Sequence, residues 1–137
     1  MSKLIEQLKI HEGLRLKPYQ CTAGKWTIGY GRNLEDNGIT KFEAEQLLTH
    51  DVSGVIMQLS EAIDGWHCLN EARKAVLVNM AFNMGVNGLM KFKKTLGYVR
   101  LKMYKDAGVE MMDSKWAVTV GGRAVELSDQ MIKGEFR

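Results

Sequence analysis

Glu12, Cys21 and Thr27 are the residues of this chain whose types and spacing could do chemistry. Breaking a glycosidic bond needs a proton donor for the leaving oxygen and, on the other side, a group that positions or activates water. The natural donor is a partly buried carboxylic acid. Glu12 falls on one face of a first helix with Ile5 and Leu8, at i, i+3 and i+7, and Gly13 stands where helices often end on a left-handed residue. Apolar neighbours and the negative end of the helix dipole would both disfavour the ionised carboxyl. Most helical glutamates simply face solvent, and taken alone Glu12 reads that way too.

Cys21 follows Glu12 after eight intervening residues and Thr27 follows after five more, flanking a turn around Ala23, Gly24 and Lys25. A three-residue loop centred on Gly24 would make Cys21 and Thr27 directly opposed residues on one face, whereas a two-residue turn would put them out of register. A thiol is ionised only to a few per cent at neutral pH unless a cation or dipole lowers its pKa. Lys25 and Lys17 are the nearby cations. A small buried hydrophobe of the sheet is the other reading of Cys21.

The elements that must position these residues follow from periodicity. From Leu14 to Leu34, Pro18, Gly24, Gly29 and Gly31 alternate with Tyr19, Trp26, Ile28 and Tyr30, the texture of short strands and tight turns. Thr40 and Glu43 form a capping box, after which Ala44, Leu48, Val52, Val55, Ile56 and Leu59 run along one face of a long helix. Glu71 to Met84, stopping at Gly85, is apolar almost all round and reads as the central, most buried helix. Phe92, Leu96, Val99 and Met103 mark another helix, a shorter one precedes Trp116, and Ala124, Leu127 and Met131 mark a last one ending before Gly134. There is no internal repeat and no low-complexity linker.

The bulk composition agrees with one domain. A chain of 137 residues, 45% apolar and 26% charged, buries roughly two thirds of its unfolded surface and leaves no room for a second full-sized domain. Nineteen basic and sixteen acidic residues leave a charge of +3, enough to favour an anionic wall and too little to indicate a nucleic-acid binder. KFKK at 91–94 is the one dense basic cluster. Cys21 and Cys68 share no metal-ligand spacing, His11, His50 and His67 form no cluster, and neither a metal nor a cofactor is expected. Met57, Met80, Met84, Met90, Met111 and Met112 read as core gap-fillers. The opening MSKLIEQLKIHEG is neither a signal peptide nor a membrane span.

Within HEGLRLKPYQCTAGKWTIGYGR the triplet Glu12, Cys21, Thr27 resembles the catalytic pattern of phage-type lysozymes: Glu, eight residues, Asp or Cys, five residues, Thr. The resemblance continues through NGITKFEAEQLLTHDV, ARKAVLVNMAFNMG and DSKWAVTVGGRA, covering nearly the whole chain in order. It implies an α+β, mainly α fold with two lobes around a substrate cleft. A small β-hairpin lobe at about 14–58 would be joined by the long helix to a helical lobe at about 59–137, the latter completed by helix 1–12. Residues 1–137 would then form a single catalytic domain.

The same resemblance implies a muramidase that cuts the β-1,4 bond between N-acetylmuramic acid and N-acetylglucosamine in peptidoglycan. Glu12 would donate the proton, while Cys21 and Thr27 hold the attacking water on the opposite face, giving inversion. Cys21 as a nucleophile would give retention instead. Arg123, seven residues after Trp116, is expected to reach Glu12 and oppose the effect of burial on its carboxyl. Asn33, Phe82, Asn83 and Thr95 match positions that line the sugar-binding cleft. Arg32 stands where the family usually shows histidine and is expected to pair with Asp51, keeping stability flat between about pH 5 and 8. The protein is expected to be a monomer made in the host cytoplasm and to reach the wall during host lysis through a separate membrane-permeabilising protein. A non-catalytic wall-binding or structural module on the same fold is the alternative, and oxidation of Cys21 or its bonding to Cys68 would add a redox switch.

Overall fold

The computed structural model describes all residues, Met1–Arg137. Its contacts divide the chain into two compact units, Met1–Leu47 and Leu48–Arg137.

The first unit opens with α1, Ser2–Glu12, which Gly13 ends at φ 73° and ψ 157°. The positive φ is the glycine-only backbone expected there, although ψ carries the chain out extended instead of closing a left-handed cap. A three-stranded antiparallel sheet follows in the order β1 (Arg15–Gln20), β2 (Trp26–Gly29), β3 (Arg32–Asn33). A one-turn helix α2, Leu34–Asn37, comes next; it is too short to carry a sequence period and was not foreseen. Asn33 caps it, its side-chain oxygen accepting the Asp36 N–H at 3.0 Å.

Helix α3, Lys41–Ala62, begins on the capping box as read: the Glu43 N–H donates to Thr40 Oγ1 at 3.1 Å and the Thr40 N–H donates to Glu43 Oε1 at 2.9 Å. Thr27 is the only buried residue among the first 47, and the apolar stripe of α1 is open, with Ile5 49% and Leu8 41% exposed.

The second unit holds the hydrophobic core. After a 3-10 turn at Trp66–Cys68, α4 spans Glu71–Met84 to the residue expected and buries Val76, Leu77, Met80 and Ala81. Five helices follow: α5 (Val86–Met90), α6 (Lys93–Arg100), α7 (Tyr104–Met112), α8 (Lys115–Val120) and α9 (Gly122–Lys133). Met103, expected on α6, lies beyond it, because Lys102 takes a left-handed φ of 60° and breaks the period. Of the methionines read as gap-fillers, Met80 and Met111 are fully buried, whereas Met57 is 64% exposed on α3. Helix α9 packs on α7 so closely that a Cβ on Gly108 would meet Ile132 Cγ1 at 2.5 Å. At its far end, Arg73 of α4 donates to the carbonyls of Met131 and Ile132 at 2.8 and 3.0 Å and stacks its guanidinium 3.8 Å above the Tyr104 ring.

Candidate active site

The hairpin joining β1 and β2 sets the geometry around Cys21. Gln20 pairs with Trp26 and Tyr19 with Thr27, and the Cys21 N–H donates to the Lys25 carbonyl at 2.9 Å. The loop therefore has three residues, as expected, but they are Thr22, Ala23 and Gly24, centred one place earlier than the sequence reading had it. The reason lies in the turn: the Gly24 N–H closes on the Cys21 carbonyl at 2.8 Å, and Gly24, at φ 77°, is the left-handed residue that ends such a loop. Direct opposition of Cys21 and Thr27 is thus corrected to a diagonal relation, with Thr27 two places along from the Lys25 that faces Cys21. The parity is unchanged, so both side chains keep to one face of the sheet.

Cys21 is half-buried with a free thiol. Its pKa is drawn below the ordinary thiol value, first by the backbone N–H of Lys25, then by that of Ala23, against an opposing effect of burial. Loop amides, not the expected lysine side chains, dominate here. Lys25 turns its ammonium to Glu35 Oε2 and Asp36 Oδ1, each at 3.3 Å. Thr27, 4% exposed, donates its hydroxyl to the Lys25 carbonyl at 2.8 Å, leaving the oxygen's lone pairs for another donor.

Glu12, last residue of α1, is exposed, so the burial expected of it is not found. Its carboxyl is nevertheless placed: a Cβ on Gly31, at φ 73°, would lie 2.6 Å from Glu12 Oε2. Only a residue without a side chain leaves that position to the carboxylate.

Arg32 forms a bidentate pair with Glu43, Nη1 to Oε1 at 3.0 Å and Nη2 to Oε2 at 2.7 Å, in place of the expected pair with Asp51. Glu43 sits in the first turn of α3, its carboxylate already folded back to the capping box; Asp51 comes eight residues later, about 12 Å further along the axis. The Arg32 hydrogen bonds, followed by those from Thr40, hold the Glu43 pKa down to about 2.

The remaining residues divide unevenly. Asn33 spends its amide on Asp36, accepting from the N–H and donating to Oδ2 at 2.9 Å. In the second unit Phe82 is 46% exposed near the end of α4, and Asn83 accepts the Trp116 indole N–H at 3.0 Å. Thr95 is 1% exposed, packed into α6, which corrects its assignment to a sugar-binding surface. Arg123 gives Nε and Nη2 to Asn79 Oδ1 at 2.8 and 2.6 Å, which fixes its guanidinium on α4. The sequence reading missed Glu35, Asp36, Glu43 and Asn79; of these only Glu43 carried a signal, its place in the capping box.

Residues 9–130 match the phage lysozyme family. An endolysin of Acyrthosiphon pisum secondary endosymbiont phage 1 is 34% identical over 88% of this chain and 82% of its own length. Probable T4-type lysozyme 2 of Dictyostelium discoideum is 29% identical over 85% of both chains. The pre-baseplate central spike protein Gp5 of Enterobacteria phage T4 is 30% identical over 97% of this chain, which spans 28% of that longer protein. The mainly helical α+β fold and these matches define a glycoside hydrolase of the lysozyme class, whose substrate is peptidoglycan. The chain belongs to the phage lysozyme family.

Proposed function

We propose that this protein is an endolysin that hydrolyses the β-1,4 bond between N-acetylmuramic acid and N-acetylglucosamine, with inversion. The carrying observation is the pairing of a carboxyl seated on Gly31 with a hairpin that keeps the Cys21 thiol and the Thr27 hydroxyl on one face. Glu12, protonated, gives its proton to the leaving glycosidic oxygen. Cys21 as thiolate takes a proton from the water that Thr27 helps hold, and the oxygen of that water forms the new bond to the anomeric carbon as the glycosidic bond breaks. Transfer of a proton from the Cys21 thiol back to Glu12 through solvent resets both groups. A thiol with a lowered pKa suits this role because a larger fraction is ionised near neutrality.

Phe82 and Asn83 contribute an aromatic face and an amide for sugar rings and N-acetyl groups in this reading. Asn33 has one amide hydrogen to spare beyond its contacts with Asp36. Thr95, buried in α6, is not part of it. The protein acts as a monomer, is made in the host cytoplasm and reaches the wall through a separate membrane-permeabilising protein.

Clearing of outer-membrane-permeabilised bacteria by the reduced protein tests the reading, alongside folded Glu12→Gln and Cys21→Ser. Lysis by the parent and loss in both variants is the expected result, with NMR of the released sugar giving the inverted anomer first. Wall binding without lysis by a folded parent would replace the enzyme with a non-catalytic module.

A further inference from the structure

Behind the reactive hairpin lies a set of polar contacts that the proposed chemistry does not use. Lys25 Nζ bridges Glu35 Oε2 and Asp36 Oδ1, both at 3.3 Å, and the Trp26 N–H reaches Glu35 Oε1 at 3.5 Å. Asp36 is itself fixed, since Asn33 donates to its second oxygen at 2.9 Å while capping its backbone N–H at 3.0 Å. Lys25 and the first residue of β2, Trp26, are therefore tied to two successive residues of α2. Lys25 is the residue whose carbonyl accepts the Cys21 N–H at 2.9 Å, and its backbone N–H is the first cause of the lowered Cys21 pKa.

We propose that Glu35 and Asp36 are positioning residues for Cys21: by anchoring Lys25 and Trp26 they fix the backbone to which Cys21 is hydrogen-bonded. The proposal rests on the reading of Cys21 as a group that must ionise to work. The tether acts on geometry, and its effect on ionisation opposes that of its charges. Two carboxylates near a thiol disfavour the thiolate, and the ammonium they hold would favour it if it were set free. Simple removal of charge should thus make Cys21 more acidic. Loss of the tether loosens the Lys25 backbone beside Cys21, and the thiol becomes less acidic, because a thiolate depends on nearby N–H donors when no dedicated cation is present. The two accounts have opposite signs.

The test is the pH profile of alkylation by iodoacetamide, read separately at Cys21 and Cys68 by mass spectrometry of the intact reduced protein after digestion. In Glu35→Gln/Asp36→Asn the Cys21 profile should move up by about half a pH unit or more, slowing its alkylation at neutral pH about threefold, while Cys68 keeps its parental profile. Lys25→Arg, which keeps both ion pairs, should leave it in place. Circular dichroism and thermal melting establish that each variant is folded, and the single variants Glu35→Gln and Asp36→Asn serve if the double one is not. An unchanged or lowered Cys21 profile in a folded variant overturns the proposal. Because the readout is thiol reactivity, it separates failure of the tether from failure of the Cys21 chemistry, which lysis by Cys21→Ser reports.

Discussion

Gly31 makes room for Glu12: the space where its side chain would begin is the space that Glu12 Oε2 occupies, 2.6 Å from an ideal Cβ, at a backbone φ of 73°. In Gly31→Ala the backbone pays roughly 1–2 kcal/mol for a left-handed non-glycine residue. The clash itself is relieved by moving the carboxylate, which is the end of a flexible side chain. Displacement of an acid by about an ångström lowers a rate about 10²-fold. Lysis should fall by that order while the protein stays folded in a thermal melt, and Gly31→Ala should add nothing to Glu12→Gln, whose acid is already gone.

The Arg32–Glu43 pair makes stability depend on acid, not on neutral pH. The folded-state pKa of Glu43 is lowered from 4.5 to about 2, so its contribution is complete above pH 4.5 and is lost as pH falls through about 2. Between pH 5 and 8 neither partner titrates. The melting temperature of the parent should therefore drop more steeply from pH 4.5 to 2 than that of Glu43→Gln or Arg32→Ala, a difference that fluorescence melts at closely spaced pH values resolve.

If Cys21 is the group that accepts the proton from water, the acid-side limb of the lysis profile follows thiol ionisation, displaced below the ordinary thiol value of 9.0. Cys21→Asp should keep lysis and move that limb to the carboxylate range, about pH 4. A limb that stays where it was in Cys21→Asp would remove Cys21 from the proton transfer.

Arg73 closes the C-terminal end of α9 with two charge-assisted hydrogen bonds and a stack on Tyr104. Arg73→Ala should cost about 1.5–3 kcal/mol per bond left unreplaced, and Arg73→Lys should recover little, since one ammonium cannot bridge two carbonyls while lying flat on a ring. Urea unfolding followed by circular dichroism measures both.

The long and strongly periodic segments were legible from the chain: α4 to the residue, α3 through its Thr40–Glu43 box, α9 up to Gly134. Helices α2, α5 and α8, of 4, 5 and 6 residues, are too short to repeat a period, and their caps come from Asn33, Gly85 and Ser114. The hairpin shows a subtler limit. Gly24 announces a turn, but its positive φ serves the last loop position and not the middle one, which moves the loop centre by one place and the partner of Cys21 by two, from Thr27 to Lys25. Partner choice was least legible, as Arg123 finds Asn79 across 44 residues and Arg32 finds Glu43 across 11, distances over which no local spacing rule operates. The triplet Glu12, Cys21 and Thr27 could be picked out because its members lie within 16 residues; the ties from α2 that hold the hairpin depend on a helix only one turn long.

The concentration of burial in the second unit, with Thr27 the lone buried residue of the first 47, divides the molecule by how readily its backbone opens. Amide protons held only by exposed strands and single-turn helices exchange through small local openings, whereas those of α4 and α9 wait for the whole core to come apart. In deuterated water the strands carrying Cys21 and Thr27 should label early and the helices around Met80 and Met131 last. The segment to which we assign the chemistry is thus the more pliable one, and a glycan bound there would register first as slowed exchange.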